Sequence, residues 1–241
     1  MPATTLYNFS DLQKDFNINN FDIKKMELLL EQLLEVNLTT NLTAITNFQE
    51  ALIKHIYDSL LIRNWPEFRK LSRMIDIGSG AGFPTLPLAI CHPDKHFVMV
   101  EATQKKVNFQ IQTAQYLELK NTLSIWSRSE TIAHQAEHRQ QYQLVFARAV
   151  AASASLAEIT IPLAQIGGFI IFYKGQDYLE ELRVAEYAIE LLGCRILETL
   201  KFQLPLAFGE RNLIVLQKIK DTPHKFPRNS GTPQKKPLLK V

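Results

Sequence analysis

Only two of the 241 residues are cysteines, Cys91 and Cys194, and they stand far apart. Without a Cys-x-x-Cys pair, neither a disulfide framework nor a zinc site organises this chain, and no metal is expected. Long apolar runs are missing too. None reaches the roughly 18–20 residues that a membrane span requires. The opening Met1-Pro-Ala-Thr-Thr5 lacks the basic start and apolar stretch of a secretory leader. The expectation is a cytoplasmic protein without membrane contact, and a monomer, since no feature asks for an obligate dimer. Glycine is sparse, with nine in all, so its placement carries information. What the chain does have is 46% hydrophobic and 21% charged residues, enough for one sizeable core.

The net charge of +3 is unevenly spread. From Lys218 to Val241 seven basic residues face one acid, Asp221, which leaves the preceding residues at −3. This end also holds Pro223, Pro227, Pro233 and Pro237. Such a segment reads as a tail that forms no packed element by itself and suits a polyanion, or else as a solvated extension.

Three stretches follow from the hydrophobic periodicity: a helical cap over residues 1–72, an α/β domain over 73–218 and the tail over 219–241. In the cap, Ile23, Met26, Leu29, Leu30, Leu33 and Leu34 recur at helical spacing from Phe21 to about Val36. Asn37 to Asn47 is polar and turn-rich, and a second helix is expected from about Phe48 to Asn64. From Arg73 onward short apolar runs alternate with helical stretches. Strands are expected at Met74–Ile77, Phe97–Val100, Leu123–Trp126, Tyr142–Ala147, Phe169–Tyr173 after a Gly167-Gly168 turn, Cys194–Leu200 and Asn212–Lys218. This alternation predicts a doubly wound, mostly parallel seven-stranded sheet. The last two strands have no helix between them and should pair antiparallel, the usual finish of a Rossmann-like class I methyltransferase.

The glycines concentrate in Asp76-Ile-Gly78-Ser-Gly80-Ala-Gly82-Phe83-Pro84, where three of the nine fall within five residues directly after a strand. Glycine permits positive φ and close approach of a ligand to the backbone. The Gly-x-Gly-x-Gly spacing differs from the nicotinamide fingerprint and suits S-adenosyl-L-methionine, which has no phosphate to cradle. Glu101 ends the second strand, where an acid can accept from both ribose hydroxyls, or simply face solvent. Ser129 and Glu130 follow the third strand, Arg148 ends the fourth and Lys174 the fifth, all at the edge where open α/β sheets bind ligands. An Asn-Pro-Pro-Tyr or Asp-Pro-Pro-Tyr sequence, the device for an exocyclic base amine, is absent, as is a cysteine placed after proline for cytosine C5. Guanine N7 needs neither, because its lone pair carries no proton and positioning suffices. A nicotinamide-dependent oxidoreductase and a non-catalytic RNA-binding assembly factor stand as the alternatives.

Several separated pieces resemble the ribosomal RNA small subunit methyltransferase G family, also called glucose-inhibited division protein B. They are Asn41-Leu-Thr43 with His55 and Asp58-Ser59, the glycine motif, Arg148-Ala-Val-Ala151, Lys174-Gly175, and Pro227 to Leu238 in the tail. The resemblance implies a bacterial enzyme that makes 7-methylguanosine at position 527 of 16S rRNA, in the 530 loop of the small ribosomal subunit. By that similarity Gly78, Phe83, Ser129, Glu130 and Arg148 line the adenosylmethionine site, and Lys225, Arg228, Lys235 and Lys236 contact RNA. His55 and Asp58, three apart, act together at the cleft or form a local helix pair. The chain departs from the family pattern at Glu101-Ala102, often Asp-Ser, at Ser129, often Ala, and at Asn229, often a second arginine.

Overall fold

The computed structural model describes residues 6–148 and 151–240. The Met1–Thr5 stretch read for a leader and Ala149-Val150 of the strand-end motif lie outside the described residues. The helical cap comprises α1 (Phe9–Phe16), α2 (Asn20–Thr40), α3 (Phe48–Ala51) and α4 (Asp58–Leu60). The α/β part follows as β1 (Arg73–Ile77), α5 (Thr85–Cys91), β2 (His96–Glu101), α6 (Gln104–Tyr116), β3 (Thr122–Trp126), α7 (Ser129–Ile132) and β4 (Tyr142–Arg148). It continues as α8 (Ser153–Thr160), β5 (Ala164–Lys174), α9 (Tyr178–Leu191), β6 (Cys194–Gln203), β7 (Glu210–Lys218) and α10 (Thr232–Lys235).

The seven strands form one sheet in the order β3-β2-β1-β4-β5-β7-β6. Pairings from β3 through β5 are parallel, whereas β7 is antiparallel to both β5 and β6. Inserting β7 between β5 and β6 separates this sheet from the 3-2-1-4-5-6 order of dinucleotide-binding domains. Central strands are apolar on both faces, as strands covered on both sides require. Met74, Leu144, Phe146, Ile171 and Val215 face the cap, α5 and α6. Their neighbours Ile75, Val145, Ile170 and Leu216 face α8 and α9. The cap shares the core of the first face: Met26, Leu29, Leu30 and Leu33 of α2 are fully buried in it.

Three local expectations change. The helix expected over 48–64 is broken, running from α3 through a π-helical stretch at Leu52–Tyr57 and α4 into a 3-10 turn at Leu61–Asn64. A π insertion widens the turn and re-aims the side chains on it; here His55 lies within it. Helix α2 runs on to Thr40, into the stretch read as turn, because Asn37 caps the following loop itself. Its Oδ1 accepts from the Leu42 and Thr43 amides at 2.7 and 2.9 Å. Gly167 and Gly168 lie inside β5, whose register against β4 shifts there, so they form an irregularity in a strand rather than the turn before it.

Candidate functional site

The chain runs outward from β1 to β3 and then returns to β4 beside β1, making the switch point at which open α/β sheets bind ligands. At the carboxyl ends of these strands lies a cleft of about 390 Å³, within the range of small-molecule sites. The turn after β1 forms its floor. The Gly78 and Ser79 amides both donate to the Val100 carbonyl of β2, at 2.9 and 3.2 Å. From α6, Gln110 Nε2 donates to Ser79 Oγ and to the Gly80 carbonyl at 2.8 and 2.7 Å. Gly80 and Gly82 both have positive φ but serve differently. A Cβ on Gly80 would meet no protein atom within 4 Å, whereas one on Gly82 would stand 2.5 Å from Leu86 Cδ1. Gly80 leaves space in the cleft, while Gly82 lets α5 pack.

Glu101 is buried beside this turn. Its Oε2 accepts from the Gly80 amide at 3.0 Å and its Oε1 from the Thr103 amide at 2.8 Å. Each oxygen keeps a second lone pair for a ligand hydroxyl. Behind the turn, Asp76 Oδ2 accepts from Thr85 Oγ1 at 2.7 Å, while Oδ1 is buried without a partner. Burial pushes the Asp76 carboxyl up to about 7. A cationic ligand above it would favour its ionised form. The open Cβ direction of Gly80, the carboxylate of Glu101 and the orphaned acceptor of Asp76 together fit a sulfonium nucleoside.

The opposite wall comes from the cap. Arg148 projects from the end of β4 and donates to the Lys54 carbonyl at 3.0 Å and to Asp58 Oδ2 at 3.2 Å. Asp58 is fully buried, and its Oδ1 accepts from Arg211 Nε at 2.7 Å. His55 Nδ1 lies 3.4 Å from Arg148 Nη2, so it is the acceptor there and Nε2–H donates to Thr43 Oγ1 at 3.0 Å. Burial, reinforced by Arg148 and Lys54, lowers the imidazole to about 3. The His55 ring stacks on Phe83, centroids 4.8 Å apart.

Of the residues read from sequence, Gly78, Gly80, Phe83, Glu101, Ser129, Glu130, Arg148 and His55 line this one cleft. Gly82 and Asp58 sit behind its wall. His55 and Asp58 do not bond each other as a helix pair; both reach Arg148. Lys174 is turned away, donating to Glu181 Oε1 at 2.6 Å and to the Ala151 carbonyl at 3.1 Å, so it fastens the chain leading into α8. Glu130 is buried with Oε1 on the Gly231 amide at 2.8 Å and Oε2 accepting from Ser129 Oγ at 3.1 Å.

The tail departs furthest from expectation. It is folded onto the domain: Phe226 is buried, and Arg139 donates to the Phe226 and Thr222 carbonyls at 2.9 and 3.0 Å. Arg228, read as an RNA contact, grips the fully buried Glu158, with Nη2–Oε2 at 2.6 Å and Nε–Oε1 at 2.9 Å. An unpaired carboxylate in that position would be costly, so this arginine is committed to the fold. Lys225, Lys235 and Lys236 are exposed. The cleft also holds Thr43, Lys106, Ser127 and Arg128, and Arg211 anchors its wall. The sequence assigns none of these a site role, Thr43 entering only within Asn41-Leu-Thr43, although Gly209-Glu210-Arg211 at the head of the last strand is a visible charged turn.

The profile of the family described as rRNA small subunit methyltransferase G matches residues 22–214. A protein named ribosomal RNA small subunit methyltransferase G from Bacillus licheniformis is 38% identical over 226 residues, covering 94% of this chain and 95% of its own. Among solved structures, a candidate O-methyltransferase from Klebsiella pneumoniae superposes with a TM-score of 0.57 at 15% identity, over 88% of this chain and 96% of that one. A 16S rRNA (adenine(1408)-N(1))-methyltransferase from Catenulisporales acidiphilia, crystallised with S-adenosylmethionine, has a TM-score of 0.50 at 12% identity, over 67% and 92%. These structural likenesses concern the fold, whereas the sequence match extends over nearly the whole chain: it belongs to the rRNA small subunit methyltransferase G family.

Proposed function

We propose that this chain methylates N7 of a guanine in 16S rRNA, the 530-loop guanine that the family resemblance implies, acting as a cytoplasmic monomer on the small ribosomal subunit. The observation that carries the reading is the convergence of Gly78, Gly80, Phe83, Glu101, Ser129 and Arg148 on one cleft at the switch point. Adenosylmethionine, when bound, supplies an electrophilic methyl group on a sulfonium. Gly78 and Gly80 would let it lie against the backbone, and Glu101 would accept from its ribose. The polar groups of the cleft wall are committed to one another. His55 is held neutral between Thr43 and Arg148, and Asp58 is held between two arginines. Among the described residues of this wall none is poised to take a proton, which suits a nucleophile that has none to lose. Catalysis then rests on orientation, which supplies on the order of 7–11 kcal/mol in favourable cases. Lys106 and Arg128 at the cleft, with exposed Lys225, Lys235 and Lys236, offer cations to RNA phosphates.

The test is methyl transfer from labelled adenosylmethionine to small subunits and to extracted 16S rRNA from a strain lacking the modification. The product is mapped by cleavage at 7-methylguanosine. Label at one guanine of the 530 loop is the expected outcome. No label on any RNA form, with adenosylhomocysteine still bound, would remove the substrate assignment and keep the cofactor.

A further inference from the structure

The C-terminal segment does more than carry charge, because Pro233 and Gln234 line the cofactor cleft itself. They join Ser127, Arg128, Ser129 and Glu130 after β3 and Ser155 and Ile159 of α8 at one end of it. Three independent bonds hold the segment there. The Gly231 amide donates to Glu130 Oε1 at 2.8 Å, Ser155 Oγ donates to the Pro233 carbonyl at 2.8 Å, and Arg228 joins Glu158 to the Lys236 carbonyl at 2.7 Å. Pro233 is buried, whereas Gln234 is exposed to the cleft and Lys235 and Lys236 to solvent. Two of these bonds use side chains, Glu130 and Ser155, that themselves line the cleft. The wall and the cleft are therefore built from the same atoms.

We infer that residues 229–236 are a wall of the cofactor site and that Gln234 reads the adenine of adenosylmethionine. The inference rests on the cofactor assignment and extends it to this segment. Glu101 marks the ribose position, so the end beyond it, lined by Ser127–Glu130 and the tail, is where the base lies. A cleft without this wall would leave a purine face in water, whereas small-ligand sites bury most of their ligand. A primary amide offers a donor and an acceptor side by side, the pattern that pairs with adenine N7 and N6. Hypoxanthine keeps the N7 acceptor but replaces the N6 donor by an acceptor, so the amide oxygen that accepts from adenine N6 would face a second acceptor.

Calorimetric titration with adenosylhomocysteine, without RNA, tests this on the full chain, on a chain ending at Arg228 and on Gln234→Ala. The shortened chain retains Thr222, Phe226 and the Arg228–Glu158 pair, and thermal melting reports whether its fold holds. Shortening should weaken binding by about tenfold or more, equivalent to about 1.4 kcal/mol. Gln234→Ala should melt as the parent does and lose most of the preference for adenosylhomocysteine over S-inosylhomocysteine. Binding within twofold by the folded shortened chain, or intact base discrimination in Gln234→Ala, overturns the inference. If the full chain itself fails to bind adenosylhomocysteine, the cofactor assignment falls with it; if only the variants are silent, the assignment stands.

Discussion

Asp58→Asn is the sharpest single test of how the cleft wall is held. The carboxylate is fully buried and lies between Arg148 Nη1 at 3.2 Å and Arg211 Nε at 2.7 Å. The arginine side chains remain 13% and 19% exposed, so their charges are partly solvated and the carboxylate is the costlier partner to bury. Each pair at roughly 4 Å is worth about 4 kcal/mol at an effective dielectric constant of 20, before desolvation is subtracted. Removing one member of a buried pair costs about 3–5 kcal/mol. Water at the arginines argues for the lower end, so about 3 kcal/mol is expected. The asparagine can accept from one guanidinium, but its amide then points donors at the other. For a chain of this length, that corresponds to a melting temperature lower by about 6–12 °C. Arg148 would keep only the Lys54 carbonyl and His55, so kcat/KM for methyl transfer should fall between about ten- and a hundredfold, mostly in kcat if Arg148 orients the reacting base. Arg211→Met leaves Asp58 paired with Arg148 and should cost less, about 1–2 kcal/mol. The double variant should show a coupling energy well above 0.5 kcal/mol. Scanning calorimetry and steady-state transfer assays read both quantities. A melting temperature within 3 °C of the parent, with unchanged kcat/KM, would refute the argument that this carboxylate holds the wall.

Protonation gives a second test, because His55 is lowered to about 3 by burial and by Arg148 and Lys54. A group depressed in the fold adds stability above its unfolded value near 6.5, lost as pH falls toward 3. Urea unfolding should show about 2 kcal/mol of loss between pH 7.5 and 5.0 from this residue, and His55→Gln should flatten that portion; an identical slope in the variant would count against it. The glycine turn separates binding from folding: Gly80→Ala meets no protein atom, so only its φ of +58° costs stability, about 1–2 kcal/mol, while adenosylhomocysteine binding should be poor. Gly82→Ala, with its Cβ driven into Leu86, should lose about 2–4 kcal/mol of stability. For RNA, replacing Lys225, Lys235 and Lys236 by alanine should reduce the salt slope of binding by about 2, at roughly 0.7 per single-strand phosphate. Arg228→Ala should instead lower stability, by stranding buried Glu158, and a pure salt-slope effect without destabilisation would contradict its structural assignment.

What the chain disclosed in advance was what depends on near neighbours. The short apolar runs of β1 to β7 and the glycine cluster after β1 are local patterns, and the sheet and the cleft floor follow from them. Glu101 could be placed because a strand end after the glycine motif has a fixed location at the switch point. The roles of charged side chains were a different matter. Arg148 meets partners 90 and 94 residues back, and Arg228 meets Glu158 at a separation of 70. No spacing rule reaches such pairs, and a cation at a strand end reads the same whether it faces a ligand or a carboxylate. Lys174 and Glu181 are only seven residues apart, but a loop intervenes and helical spacing does not apply across it.

The tail shows why composition misled where pattern did not. Counting seven cations and four prolines against one acid predicts a chain that cannot pack, because such counts ignore the anchors between them. Thr222, Phe226, Pro227 and Pro233 are the described residues of the tail that bury, and each lies beside a partner the domain supplies, His134 Nε2 meeting the Pro227 carbonyl at 2.8 Å. Thr222 Oγ1 donates to the Leu192 carbonyl at 2.7 Å, Phe226 joins the core beneath α8 and α9, and Pro233 rests on Ser155. Gly193 makes the first of these possible. Its φ of +97° turns the chain after α9, and a Cβ there would collide with the Lys220 carbonyl oxygen. Polyelectrolyte character and ordered packing are therefore compatible within a single segment. Lys220, Lys225, Lys235, Lys236 and Lys240 are exposed, whereas Lys218 and Arg228 turn inward onto the Ile161 carbonyl and Glu158 and act as anchors themselves. A basic tail reads as disordered only when no hydrophobic or hydrogen-bonding residue recurs at intervals that let the domain hold it, and here Thr222, Phe226 and Pro233 recur at such intervals.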